Sequence, residues 1–341
     1  MDATGNPTEG RRAYDVVAVG SAIVDLLALV DHPTLSGTGL EPGTMTLIDQ
    51  AEAERLWGLV DGGTLVAGGS AANTTVGVAA LGGGAALVGR VGSDELGAAF
   101  AENLIGTGVA FREMPAGTAG GPTGRCVILV TPDGQRTMRT FLGVAPMLEP
   151  HHIDESVLDG AAFAYLEGYL WDAPSARPAI ERAIELGRRA GAQVALSLSD
   201  PGCVVRHRDE WNELVSAGRI DVLFANEQEV LRLTGAADVT AAASSVGALV
   251  PTAALTMGPA GSLVVHEAAV STVAAHPVGH VVDTTGAGDQ YAAGFMLGAA
   301  RGLDPSDCAR LGGLAAADVI SALGARPHGD LLAAARAEGL L

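Results

Sequence analysis

Asp283-Thr284-Thr285-Gly286-Ala287-Gly288-Asp289 is the stretch of this sequence richest in chemistry. Its glycines allow a tight turn and a close approach of backbone to ligand. The residues that follow, to about Arg301, are largely apolar and read as a buried helix. First-turn amides of a helix lack partners, and the helix dipole places its positive end there, so such a turn is a ready phosphate site. Asp289 falls at the same helix start. A carboxylate beside the amides of Gly286, Ala287 and Gly288 can take a proton from a hydroxyl while the amides hold the phosphoryl group under attack. That is a phosphoryl-transfer site in outline; the plain alternative is a turn followed by a first-turn helix acid.

The basic residues sharpen the picture. All 20 are arginine, since the sequence contains no lysine. A Walker A loop, a protein-kinase β3 lysine and a Schiff-base lysine are therefore excluded. Any phosphate must be held by amides, arginine and a metal. Arg136 and Arg139 follow a Pro132-Asp133-Gly134 turn and are the candidate cations for a transferring phosphoryl group, Arg136 ahead of Arg139.

The 283–289 string resembles the C-terminal signature of the ribokinase-like (PfkB-type) carbohydrate and nucleoside kinases. Gly68-Gly69-Ser70-Ala71-Ala72-Asn73, continuing through Gly82, Gly89, Val91, Gly92 and Asp94, resembles the N-terminal signature of the same family. The resemblance runs from Tyr14 to Pro327. It implies transfer of the ATP γ-phosphoryl to a primary hydroxyl, with Asp289 as base and the 286–288 amides as anion hole. It further implies that Asp25, Gly68, Gly69 and Asn73 grip the hydroxyls of the acceptor, and Asn73, able to donate and accept, suits a vicinal diol. Asn226-Glu227-Gln228-Glu229 resembles the family's Asn-x-x-Glu motif, which organises magnesium through water; a helix cap would use the same residues. Thr256-Met257-Gly258-Pro259-Ala260-Gly261 resembles the nucleotide loop, with Thr256, Gly258 and Gly261 meeting ATP. Asp283, Thr285 and Ser321 mark where relatives bind a monovalent cation. The implied cofactors are ATP and magnesium, with potassium as an optional third.

For the acceptor, Leu166-Glu167-Gly168-Tyr169-Leu170, Ser197-Leu198-Ser199-Asp200-Pro201 and Arg136–Ala145 look more like adenosine kinases than ribokinases. Tyr169, Leu170, Trp171 and Phe141 could receive a purine, with Tyr169 the leading contact. Gly202 departs from relatives that place an aromatic there. The expectation is adenosine or a related nucleoside, with a sugar kinase (ribose, fructose or 2-keto-3-deoxygluconate) as the alternative. A non-catalytic nucleotide- or nucleoside-binding protein is the alternative from another class, opposed by the intact Asp289.

Composition bounds the rest. With 341 residues, 48% hydrophobic, the chain can bury a large core. A formal charge of −19 argues against a nucleic-acid partner. No apolar run is long enough to span a bilayer. Cys126, Cys203 and Cys308 are too scattered for a disulfide framework or a metal-ligand spacing and read as buried thiols of a cytoplasmic protein. The partners expected are a small-molecule acceptor and ATP, in a monomer or homodimer.

These residues need a scaffold. From Phe163 onward, apolar runs alternate with helical patterns, which predicts a mostly parallel sheet with helices on both faces. The strands expected are Tyr14–Val19, Leu87-Val88, Phe163–Leu166, Val194–Leu198, Val222–Phe224, Ala253–Met257 and Leu263–Val265. Among the helices are one capped by Ser93, one over Ser175–Ala190 and one over Asp209–Ala217. Segments 34–50 and 110–142, with strands over 110–115, 124–131 and 136–138, suggest a small β-sheet lid inserted in the domain. The division expected is a disordered tail over 1–12, a ribokinase-like α/β domain over 13–327, and a C-terminal helix or tail over 328–341.

Overall fold

Val16-Val17-Ala18-Val19 is apolar at every position, as a strand covered on both faces requires. In the computed structural model, which describes residues 14–60, 62–113, 120–133 and 135–341, this is the first strand, β1. The chain continues through β2 (Ile23–Leu29), α1 (His32–Gly37), β3 (Met45–Leu47), α2 (Gln50–Trp57) and β4 (Thr64–Gly68). Next come α3 (Ser70–Ala80), β5 (Ala85–Gly89), α4 (Glu95–Gly106), β6 (Ala110–Glu113), β7 (Gly124–Val130) and β8 (Arg136–Phe141). Strands and helices then alternate through α5 (Glu155–Leu158), β9 (Phe163–Glu167), α6 (Arg177–Arg189), β10 (Gln193–Ser197), α7 (Pro201–Ser216) and β11 (Val222–Asn226). The last part holds α8 (Glu227–Thr234), α9 (Val239–Gly247), β12 (Thr252–Thr256), β13 (Ser262–His266) and β14 (Ala269–Val273). Three helices close the chain: α10 (Ala287–Ala300), α11 (Pro305–Val319) and α12 (Leu331–Ala337).

Nine strands form the large sheet in the order β14-β13-β12-β11-β10-β9-β1-β5-β6, parallel except for the antiparallel β12–β13–β14 edge. Alternate residues of β1 feed different cores. Val17 and Val19 join the layer under α6 to α9, while Val16 and Ala18 join the layer of α3, α10 and α11. This is the ribokinase-like α/β fold. Because the central strands are parallel, Gly89, Glu167, Ser197, Asn226 and Thr256 all end at one edge, where ligands of such sheets bind.

The second sheet has the order β3-β8-β7-β2-β4. The expected lid segments supply β3, β7 and β8, but β2 and β4 complete it, so Asp25 lies on a strand rather than in a loop. The start of the 110–142 segment needs correction. Ala110–Glu113 pairs with β5 at the edge of the large sheet, where Phe111 meets Phe100 at 5.1 Å between ring centroids. The 1–12 tail, the rest of the 110–115 strand and Gly134 lie outside the described residues. Over 328–341, α12 docks through buried Leu331, Ala335 and Leu340.

Two helix starts also differ. Asp94, not Ser93, caps α4 by accepting from the Gly97 amide at 2.9 Å. Helix α7 begins at Pro201 rather than Asp209, because Asp200 accepts from the Gly202 and Cys203 amides and proline suits the first helical position. Among the described residues, no helix is long and apolar enough to cross a membrane.

Candidate active site

Gly286 makes the turn that presents Asp289. Its φ is +78°, and an added Cβ would lie 2.7 Å from the Ala325 Cβ and 2.9 Å from the Ala325 carbonyl oxygen. Only glycine allows that crossing. Helix α10 starts at the next residue, with Asp289 in its first turn. The Ala287 amide donates to the Thr284 carbonyl at 3.3 Å, closing the turn. Beside Gly288 a Cβ would meet nothing within 4 Å, so space stays open in front of the helix end. That cradle fits a phosphate.

Asp289 is held from α3. Ser70 Oγ donates to its Oδ1 at 2.6 Å and Asn73 Nδ2 donates to Oδ2 at 3.1 Å. Burial raises the Asp289 pKa, and these two hydrogen bonds oppose the rise. Helices α3 and α10 can approach this closely because Gly77 leaves room; a Cβ there would fall 2.2 Å from Gln290 Oε1. Gln290, fully buried, donates to the Asn73 carbonyl at 2.9 Å and the Ala325 carbonyl at 3.1 Å. One side chain thus fixes three segments of the site.

Asp25, Gly68 and Gly69 are brought to the same place. A Cβ on Gly68 would lie 2.2 Å from the Asp25 carboxylate, so glycine lets that acid lie across β4. Gly69 has φ +99°, and an added Cβ would lie 2.3 Å from the Ser21 carbonyl oxygen. Burial raises the Asp25 pKa to about 7, with Arg326 and Arg136 opposing and Asp289 adding to the rise.

Three residues escaped the sequence reading. Glu167, at the end of β9, is almost wholly buried and accepts from the amides of Ser21 at 3.2 Å and Ala71 at 3.0 Å. Burial pushes its pKa to about 7. Arg326 donates to the Ala67 carbonyl and lies near both Asp25 and Asp289; burial lowers its pKa to about 10. Ser70 is the third. An apolar run ending in glutamate was a usable signal for Glu167. Arg326 follows directly on the 321–325 segment but carries no motif of its own.

Arg136 does not lie free over the cradle. Its guanidinium is paired with the buried Asp283 carboxylate, and Nη1 donates to Thr285 Oγ at 2.6 Å. Asp283 also accepts from the Thr285 amide at 3.0 Å and the Gly324 amide at 2.8 Å. Ser321 turns away and donates to the Asp318 carbonyl at 2.6 Å. The side chains at the expected monovalent-cation position are thus already engaged. Asp283 and the Thr285 hydroxyl already serve a guanidinium, and the Ser321 hydroxyl is committed elsewhere. Arg139 is outside the site, donating to the Thr44 carbonyl at 2.9 Å.

In the loop expected to meet ATP, Thr256 closes β12 and Gly258 has φ +57° with open space beside it. Gly261 has φ +90°, and a Cβ would fall 2.1 Å from the Val273 carbonyl. The loop fits a ligand held by backbone. Asn226 and Glu229 form a reciprocal cap: the Asn226 amide donates to Oε2 at 2.8 Å, Nδ2 to Oε1 at 2.6 Å, and the Glu229 amide to Asn226 Oδ1 at 2.9 Å. Burial raises the Glu229 pKa to about 7. Each of its oxygens accepts one hydrogen bond from Asn226, an arrangement that suits contact with magnesium through water.

Among the expected acceptor contacts, Leu170 and Trp171 belong to the core, with Trp171 edge-on to Trp211. The apolar layer under α6 and α7 claims them. Phe141 lies against the Arg125 guanidinium at 5.8 Å. Tyr169 is partly exposed; its amide donates to Ser199 Oγ at 3.2 Å and its hydroxyl to the Ser199 carbonyl at 3.4 Å.

Known proteins resemble this chain in family and fold. A model of the pfkB family of carbohydrate kinases matches residues 15–329. The solved structure of a probable sugar kinase from Rhizobium etli CFN 42 is 39% identical, with TM-score 0.89, covering 97% of this chain and 100% of that one. The adenosine kinase from Sinorhizobium meliloti is 41% identical, with TM-score 0.87, covering 96% and 99% respectively. The guanosine-inosine kinase of Escherichia coli K12 is 28% identical over 264 residues, 75% of this chain but 61% of that protein's length.

Proposed function

The chain belongs to the pfkB family of carbohydrate kinases, and on that premise we propose that it moves the γ-phosphoryl of ATP to the primary hydroxyl of adenosine or a related nucleoside. One observation carries the reading. The Asp289 carboxylate stands at the start of α10, fixed by Ser70 and Asn73, with its proton affinity raised by burial. A base so tuned takes the hydroxyl proton as the oxygen attacks. The 286–288 turn, at the positive end of α10, would hold the charge of the transferring group. Such catalysis is mainly positioning and electrostatics.

Asp25, Gly68 and Asn73 form one wall of the acceptor site and orient its hydroxyls. Thr256, Gly258 and Gly261 would hold the nucleotide. Magnesium would supply charge neutralisation at the phosphates, its water shell met by Asn226 with Glu229 behind it. The small sheet, with Arg136 held on Asp283, would cover the cradle and exclude water.

Tyr169 beside Ser199, with the likeness to an adenosine kinase, supports a nucleoside acceptor. A second reading, a sugar kinase, draws on the burial of Leu170 and Trp171, which leaves little aromatic surface for a base. The deciding experiment is ATP-dependent ADP release with adenosine, inosine, guanosine, cytidine, ribose, fructose and 2-keto-3-deoxygluconate. Turnover on adenosine, or on another nucleoside of the panel, is expected. Turnover confined to a free sugar would replace the first reading with the second, and ATP binding with no turnover on any acceptor would remove both.

A further inference from the structure

Behind the acceptor side of the site, a second cluster of chemistry-bearing side chains has no part in phosphoryl transfer. Asp172 ends the 3-10 turn Gly168–Asp172 that carries Tyr169, and Cys203 and His207 lie one turn apart on α7. A carboxylate oxygen, the Cys203 sulfur and a ring nitrogen of His207 lie within 4.8 Å of one another. His207 Nε2 is 2.7 Å from Asp172 Oδ1, and Cys203 Sγ is 3.4 Å from the Gly168 carbonyl oxygen. Two further observations single out His207. The helix leaves helical geometry there, at φ −119° and ψ 17°, and its buried Nδ1 has no hydrogen-bond partner.

We propose that Asp172, Cys203 and His207 bind a thiophilic divalent cation of the zinc class, cross-linking the Tyr169 turn to α7. One sulfur, one imidazole and one carboxylate make a donor set for zinc or cobalt, with the fourth tetrahedral position left to water. Magnesium, which prefers an oxygen octahedron, is not the occupant. When the ion takes Nε2, the ring proton moves to the orphaned Nδ1, where Glu210 Oε2 stands 3.9 Å away. A carboxylate behind a ligating imidazole is the usual support. The Cys203 thiol gives up its proton to solvent, so affinity climbs with pH. Two negative ligands balance the ion. Arg206, which now forks onto Asp172 at 2.8 and 2.6 Å, has a half-exposed side chain and can keep its contact to Oδ2. The inference holds whichever acceptor the enzyme uses.

The test is a cobalt titration of the metal-free, full-length protein followed by absorbance. The expected result is a one-to-one thiolate-to-cobalt charge-transfer band that zinc displaces. Cys203→Ser should abolish the band, His207→Gln and Asp172→Asn should weaken binding by about tenfold or more, and Cys308→Ser should leave it intact. Circular dichroism of each variant without metal separates a lost ligand from a lost fold, and the zinc displacement needs no variant. If the unaltered chain shows no thiolate band, or the band survives in folded Cys203→Ser, the cluster is an Asp172–Arg206–His207 ion network and the proposal falls.

Discussion

The guanidinium of Arg136, on the small sheet, is paired with the carboxylate of Asp283, in the loop that leads to the Asp289 turn. Both side chains are buried, at 9% and 2% exposure, so neither can lose the other cheaply. Burial lowers the Arg136 pKa only to about 10, which leaves it charged at neutral pH. Removing one partner of a buried pair typically costs 3–5 kcal/mol, roughly, because the other charge is stranded. Arg136→Ala should therefore lower stability in urea unfolding by about 3 kcal/mol. It should also cut kcat by about a hundredfold while acceptor KM moves little. A variant of normal kcat would take Arg136 out of the reaction.

The same pair predicts indifference to monovalent cations. With Arg136 on Asp283 and Thr285, turnover should be equal in potassium, sodium and choline salts of one ionic strength. A severalfold activation by potassium would mean that Arg136 vacates the loop in the working enzyme.

Asp289→Asn keeps the shape of the site and removes the base. Turnover should fall by about 10²–10⁴-fold, while ATP affinity measured by calorimetry stays within about twofold. In the unaltered protein, kcat should fall at acid pH with a midpoint above the ordinary carboxylate range, since burial raises this group's pKa. Near-normal turnover in the variant would exclude Asp289 as the base.

Much of this was legible in the sequence, for physical reasons that differ from place to place. Apolar β1 and the alternation after Phe163 leave few options but a parallel sheet, and glycine turns at 68–69 and 286 announce close backbone approach. The small sheet was harder to read. Strand β2 is apolar at every position except Asp25, and β4 passes from exposed at Thr64 to buried at Gly68, so neither sequence shows a clean period. Trp171 illustrates another limit, because an aromatic near a site reads the same whether it meets a ligand or, as here, Trp211. Glu229 is similar: cap and metal support use the same two residues, and only the 2.6–2.9 Å bonds reveal the cap.

Glu167 gives a pH-dependent stability with a definite sign. Its pKa rises from 4.5 to about 7 on folding, so the folded chain holds its proton more tightly than the unfolded one. Stability therefore falls as pH climbs from about 4.5 to about 7 and is level, on this account, outside that window. The cost of ionising the buried acid reaches up to roughly 3 kcal/mol. Glu167→Gln retains an acceptor for the Ser21 and Ala71 amides without the charge. Urea melts should show the variant gaining on the parent between pH 5 and pH 8. A difference that does not change with pH would mean that Glu167 is not the source.

Gly286 and Gly288 stand two residues apart and should fail in different ways. Gly286 has positive φ and backbone of Ala325 against it, so Gly286→Ala meets both strain and a clash that no side-chain rotation relieves. It should lose stability by about 2–4 kcal/mol, and activity with it. Gly288 lies within the first turn of α10 and faces open space. Gly288→Ala should leave the melting temperature unchanged or slightly raised, because alanine favours a helix over glycine by up to about 1 kcal/mol. Its methyl would nonetheless stand where a phosphoryl group must come to reach the amides. If the turn is the anion site, Gly288→Ala combines unaltered stability with a kcat/KM for ATP reduced about tenfold or more, roughly 1.4 kcal/mol of lost transition-state binding. A stable variant with unaltered kinetics would place the phosphate elsewhere.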